Sequence, residues 1–116
     1  MKHPVLPIIS CLLLFACGEK QPEIANKPEW VIAESKMVDI IVDLRIADAA
    51  TYINAGSPPR NKATDWMFIM RKHKVQDSTF RKSHDYYAEH PEVAEKLYEQ
   101  VIDKISEMQA ENADGQ

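Results

Sequence analysis

The stretch from Ala33 to Asn54 constrains the fold most. On a helical wheel at about 100° per residue, Met37, Ile40, Ile41, Leu44 and Ala47 share one face, while Val38, Val42, Ile46, Ala49 and Ile53 cover another. The clearly polar strip is narrow and carries Asp39, Asp43 and Asn54. A helix apolar over that much of its circumference needs cover on more than one side. The segment is therefore predicted to be the longest helix and the central element of an all-α domain, with Glu34 suiting the positive end of the helix.

Three further helices follow from punctuation and spacing. Gly56, Ser57, Pro58 and Pro59 break the chain between Ala55 and Asn61. Asn61 or Thr64 caps a second helix running to about His73, in which Trp66, Ile69, Met70 and His73 fall at i, i+3, i+4 and i+7. Arg71, Lys72 and Lys74 near its end complement the negative terminus. Asp77 is the expected cap of a third helix reaching about Glu89, with Phe80, Ser83, His84 and Tyr87 as its inward stripe. At His90-Pro91-Glu92 the chain stops one helix and starts another, because proline disfavours helical geometry in the preceding residue but suits the first position of a helix. The fourth helix shows Ala94, Leu97, Tyr98, Val101, Ile105 and Met108 at helical spacing, opposite an acidic side of Glu92, Glu95, Glu99 and Asp103 that reads as solvated. Ahead of the first helix, Trp30 and Ile32 are expected to lie across it as a lid, with ligand stacking by Trp30 as the alternative.

The first residues are read differently. Lys2 precedes an apolar run from Val5 to Ala16, broken only by Pro7 and Ser10. As a helix this run spans about 18 Å, too short for about 30 Å of hydrocarbon. It reads as a secretory signal peptide over residues 1–16. Its end, Leu14-Phe15-Ala16-Cys17, resembles the lipobox of bacterial lipoproteins, with Phe15 bulkier than usual at its position. The resemblance implies that Cys17 becomes the new N-terminus and is acylated, anchoring the chain in a membrane. A signal cut elsewhere, leaving a stray thiol, is the alternative. One acyl chain binds only marginally, at about 0.8 kcal/mol per buried methylene, but two or three make attachment effectively permanent. Gly18 follows the cysteine where an acidic residue would divert sorting, and by the same resemblance this favours the outer membrane. Residues 17–27 then form a lipidated N-terminus and tether of about 18 Å reach, residues 28–108 a helical domain, and residues 109–116 a frayed tail.

Composition narrows the function classes. Cys11 lies within the expected signal, so the mature chain has no cysteine pair for a disulfide or a CxxC site. Loss of Lys2 takes the formal charge from -4 to -5, which argues against non-specific nucleic-acid binding. His73, His84 and His90 lack a metal-binding spacing, and no cofactor motif is present. Ser83, His84 and Asp85 are adjacent and point about 100° apart on a helix, so they form no catalytic relay.

Five residues stand out as a candidate interaction or ligand surface: Asp48, Trp66, Met67, Met70 and Tyr87. Asp48 breaks the main apolar face of the first helix, so it needs a partner, with Arg45 the nearest on the same helix, or else a place at the edge of the domain. It is either a recognition point in a groove or a satisfied carboxylate pinning a neighbouring helix. The Met and aromatic cluster of the second helix marks an adaptable binding surface or plain core. Asp48, His84 and Tyr87 are the only inward-facing polar groups an enzyme could use.

With these residues in view, the chain is similar to a family of small bacterial lipoproteins, the domain of unknown function 4296 family. The resemblance rests on Lys36-Met37, Ile40, Asp43 and Ala47-Asp48-Ala49, then Phe80, Ser83, Tyr86-Tyr87, His90-Pro91-Glu92, Leu97-Tyr98-Glu99 and Val101. It covers about residues 28–105, with Arg45 and Gln76 standing where that family commonly has a histidine and a capping threonine. It implies a helical, lipid-anchored domain and no reaction. The expected function is a non-enzymatic envelope lipoprotein that presents a helical surface to an envelope protein partner. The alternative is a binder of a small apolar ligand between helices.

Overall fold

The computed structural model describes residues 24–53, 56 and 61–115. The expected signal peptide, Cys17 and most of the tether lie outside the described residues. The described residues form an all-α domain of four helices: α1 (Glu34–Ile53), α2 (Lys62–Lys72), α3 (Asp77–Ala88) and α4 (Pro91–Asp114).

α1 packs against both α4 and α2, and α3 packs against α4. This double cover is what the broad apolar surface of α1 demands, but it holds only for the first half of the helix. Met37, Val38, Ile40, Ile41 and Val42 are buried, with Met37 and Ile40 fully so. Further along, Leu44 and Ala47 are partly buried, Ile46 is exposed and Ile53 is 81% exposed. The second apolar face of α1 thus runs past the helices available to cover it. Among the described residues the longest helix is α4, with 24 residues against 20 for α1. α4 continues to Asp114 where a frayed tail was expected after Met108. The segment Glu107 to Asp114 is rich in Glu, Gln, Met and Ala, which favour helix without help from packing, and its side chains are exposed.

The helix ends are set by local chemistry. Asn61 caps α2, its Oδ1 accepting from the Ala63 amide at 3.0 Å. α2 ends in a Schellman turn: the Val75 amide donates to the Met70 carbonyl and the Lys74 amide to the Arg71 carbonyl, both at 3.0 Å. Lys74 holds the left-handed position, φ 54°, that glycine usually takes there. α3 is capped by Gln76 rather than Asp77, and Gln76 makes no side-chain capping bond. The Asp77 carboxylate is turned outward, onto Trp66 and Arg81.

His90 is the joint between α3 and α4. Its Nδ1 donates to the Tyr86 carbonyl at 2.8 Å, its amide donates to the Tyr87 carbonyl, and its own carbonyl accepts from Val93 and Ala94. Pro91 occupies the first position of α4, where a missing N–H costs nothing.

The segment leading into α1 is bound to α3 by two side chains. The Ile32 amide donates to Ser83 Oγ at 3.0 Å, and the Tyr87 hydroxyl donates to the Ile32 carbonyl at 2.6 Å. Val31, Ile32, Ser83 and Tyr87 are all buried. Ile32 is therefore part of the core, and the bonds that hold it run to α3, not to the first helix that the sequence predicts it to cover. Trp30 is not in the core: it is 50% exposed and meets Tyr86 edge-on, centroids 5.9 Å apart. Burial drives the Tyr87 hydroxyl up to about 12, with smaller contributions from the charges of Glu34 and Tyr86.

Two residues of the polar strip of α1, Asp39 and Asp43, are paired, and the third, Asn54, lies outside the described residues. Asp43 accepts from His73 Nε2 at 2.7 Å and Lys72 Nζ at 2.8 Å, both at the end of α2. Asp39 pairs with Lys104 on α4. Burial opposes ionisation of Asp43, but the hydrogen bonds from Lys72 and His73, with their charges, outweigh it and hold the carboxyl below its ordinary 3.8.

Candidate functional site

α1, α2 and α3, with Tyr98 of α4, enclose an open cleft of about 560 Å³. Ile41, Leu44 and Ala47 supply one apolar wall, and Trp66, Ile69 and Phe80 supply the other. Trp66 and Phe80 meet edge-to-face, 5.4 Å between centroids, which fixes the ring of Trp66 against the core.

The rim is charged. Lys62 Nζ lies 3.0 Å from Asp48 Oδ1, an ion pair joining the start of α2 to α1. The hydrogen bond to Asp48, and then its charge, raises the Lys62 ammonium above its ordinary value. At the corner between α2 and α3, Trp66 Nε1 donates to Asp77 Oδ1 at 2.7 Å, and Arg81 donates to both oxygens of the same carboxylate. The Arg81 guanidinium also lies 5.0 Å from the centre of the Trp66 ring. The hydrogen bond from Arg81 is the main reason the Asp77 carboxyl sits below its ordinary value. Across the cleft, His84 Nε2 and the Tyr98 hydroxyl are 3.0 Å apart. Arg45 and Asp85 complete the charged lining with Asp65.

The structure separates the residues that the sequence grouped. Asp48 and Trp66 line the cleft. Asp48 is exposed at its edge, one of the places the sequence allows it, and its partner is Lys62, not Arg45. The reason is that α1 runs past its cover at this point, so the position faces the rim. Met67 is 56% exposed and lies outside the cleft lining. Met70 and Tyr87 are core residues. His84, expected inward, is exposed on the cleft side of α3. Tyr87 is bonded to Ile32 and does not line the cleft that Asp48 and His84 share, so the three polar groups do not converge.

Sequence reasoning named neither Lys62 nor Arg81, and it met Asp85 only in a dismissed relay and Tyr98 only on the apolar face of the fourth helix and in the family resemblance. The i, i+4 spacing of Asp77 and Arg81 is a signal that could have found that pair. Among the described residues, no group of three or more His, Cys, Asp or Glu side chains is placed to hold a metal ion. No described helix is long and apolar enough to cross a membrane.

The molecule is thus a small all-α domain with an apolar, charge-rimmed cleft on one side. Residues 28–111 match the model of the DUF4296 family, a domain of unknown function, and the chain belongs to that family. Neither the curated proteins nor the solved structures contain a match to it.

Proposed function

We propose that the chain is a lipid-anchored envelope lipoprotein whose helical domain is a non-enzymatic docking module for an envelope protein partner. In this reading Cys17 carries the acyl chains, the outer membrane holds them, and the short tether keeps the domain near the bilayer. The lipobox-like Leu14-Phe15-Ala16-Cys17 supports the anchor. The observation that carries the docking role is the set of large apolar side chains left uncovered: Tyr52 and Ile53 at the end of α1, Met67 and Phe68 on α2, and Ile102 on α4. Single exposed apolar residues are ordinary on protein surfaces, but exposed aromatics and methionine are the residue types enriched at interfaces. The commitment of Tyr87 to Ile32 supports a non-enzymatic reading.

Crosslinking in intact cells followed by mass spectrometry tests this. A specific envelope protein is recovered by the native chain and lost when Phe68 and Met67 are replaced by serine. Recovery of abundant bystanders alone overturns the docking role. Metabolic labelling with a fatty-acid analogue, with Cys17→Ser as control, tests the anchor separately.

A second reading is favoured by the cleft. Its volume of about 560 Å³ lies within the roughly 300–1,000 Å³ of small-molecule sites, and such sites are mostly apolar with a few placed polar groups. The chain then binds a small, largely apolar ligand against Trp66.

A further inference from the structure

The cleft rim carries two charges that the described residues leave without partners. Lys62 is held by Asp48, and Arg81 by Asp77. Arg45 on α1 and Asp85 on α3 make no hydrogen bond or ion pair among the described residues, either with each other or with another group. Both are exposed, and both line the same cleft from different helices.

This arrangement is selective. A neutral apolar molecule filling the cleft would strip water from both charges and return nothing to either. A simple carboxylate would answer Arg45 but place a second negative charge in a cleft lined by Asp85, and a simple amine would do the reverse. A ligand with an apolar body and one charge of each sign satisfies all three features. Arginine also presents a planar fork that matches a carboxylate in two hydrogen bonds. A short peptide with free termini is such a molecule, and an extended tripeptide separates its termini by up to about 10 Å.

We propose that the cleft binds short apolar peptides with free termini, the α-carboxylate against Arg45, the α-ammonium against Asp85 and the side chains against Trp66 and Phe80. This rests on the ligand reading of the cleft and is independent of the protein-partner reading.

The test uses the full chain in phosphatidylcholine vesicles, with empty vesicles as blank. The chain has two tryptophans, Trp30 and Trp66. Trp30→Phe leaves Trp66, in the cleft, as the reporter. Leucyl-leucyl-leucine is titrated in four forms: free, N-acetylated, C-amidated and doubly blocked. The expected result is a saturable change in Trp66 emission with the free peptide, weakened about fivefold by each block. Arg45→Gln should weaken the free and acetylated forms but not the amidated ones. Asp85→Asn should weaken the free and amidated forms but not the acetylated ones. Both positions are exposed, so matched unfolding midpoints confirm that the variants fold. Equal affinity for all four forms overturns the role of the two charges and leaves the ligand reading standing. No saturable response to any form overturns both, and crosslinking to an envelope protein is unaffected by either outcome.

Discussion

At the lead-in segment, Ile32 is buried and both of its backbone groups are bonded by α3, the amide to Ser83 and the carbonyl to Tyr87. On another side of the same helix, His84 bonds Tyr98 at the edge of an open cleft, with solvent beside both. Each place pairs a tyrosine hydroxyl with another polar group, and α3 takes part in both, with Ser83 and Tyr87 in the first and His84 in the second. What differs is water. In the clasp each polar atom has one possible partner, and losing it strands the other. In the cleft every polar group has water as an alternative, so its bonds hold less of the fold together. A polar contact in this domain is therefore worth what its surroundings make it worth.

The largest expected effect tests that statement directly. Tyr87→Phe keeps the ring and deletes the hydroxyl, leaving the buried Ile32 carbonyl unbonded. Loss of about 1–3 kcal/mol of stability is expected, measured by urea unfolding. The same deletion in the cleft, Tyr98→Phe, should change stability by less than about 0.5 kcal/mol. Equal costs would break the comparison. The clasp also predicts an alkaline limit. Tyr87 titrates near 10 when unfolded and at about 12 when folded. Because the folded value is raised, its contribution is complete below pH 10 and is lost as pH rises from 10 towards 12, and Tyr87→Phe removes that part of the alkaline decline.

Between the two lies Asp43, half-buried and bonded by Lys72 and His73. Its folded value is lowered, so its contribution is present above 3.8 and is lost as pH falls below 3.8 through the folded value. Asp43→Asn should cost about 1 kcal/mol at neutral pH, less than a fully buried charged bond because water screens it in part. It should also flatten the acid limb of the stability profile. An unchanged acid limb would place Asp43 with the cleft groups rather than with the clasp.

The fold was legible in the sequence because its strongest signals are local. Helical spacing placed α1 to α4, and Pro91 located the α3–α4 joint to the residue. The errors came where the outcome depended on which neighbour reached a position. Periodicity put Asp48 and His84 inward, but α1 outruns its cover and α3 turns His84 to the cleft. Lys74 in a left-handed turn and Gln76 as a cap without a side-chain bond carry no sequence mark, since other residues are usual at both positions. The cleft was the least legible part. It is built from one side each of α1, α2 and α3 with Tyr98 of α4, and no spacing in the chain announces that Arg45, Lys62 and Asp85 share a rim.

The smallest expected effect sharpens the comparison from the cleft side. Asp48 and Lys62 are 3.0 Å apart, yet both side chains are about half exposed or more, at 48% and 66%. Exposed pairs gain little, since water screens the attraction and ordering two flexible side chains offsets part of it. Replacing Lys62 by glutamine, or Asp48 by asparagine, should leave the unfolding midpoint unresolved from that of the native chain, and added salt should erase any residual difference. The exchange Asp48→Lys with Lys62→Asp should behave like the native chain in the same assay. A marked loss in either single variant would mean that the pair clamps α2 to α1 as firmly as Tyr87 clamps Ile32. The rim would then be a structural brace rather than a wall free to meet a ligand. An unchanged midpoint leaves the cleft charges free of any duty to the fold, so that their arrangement is open to explanation by what the cleft receives.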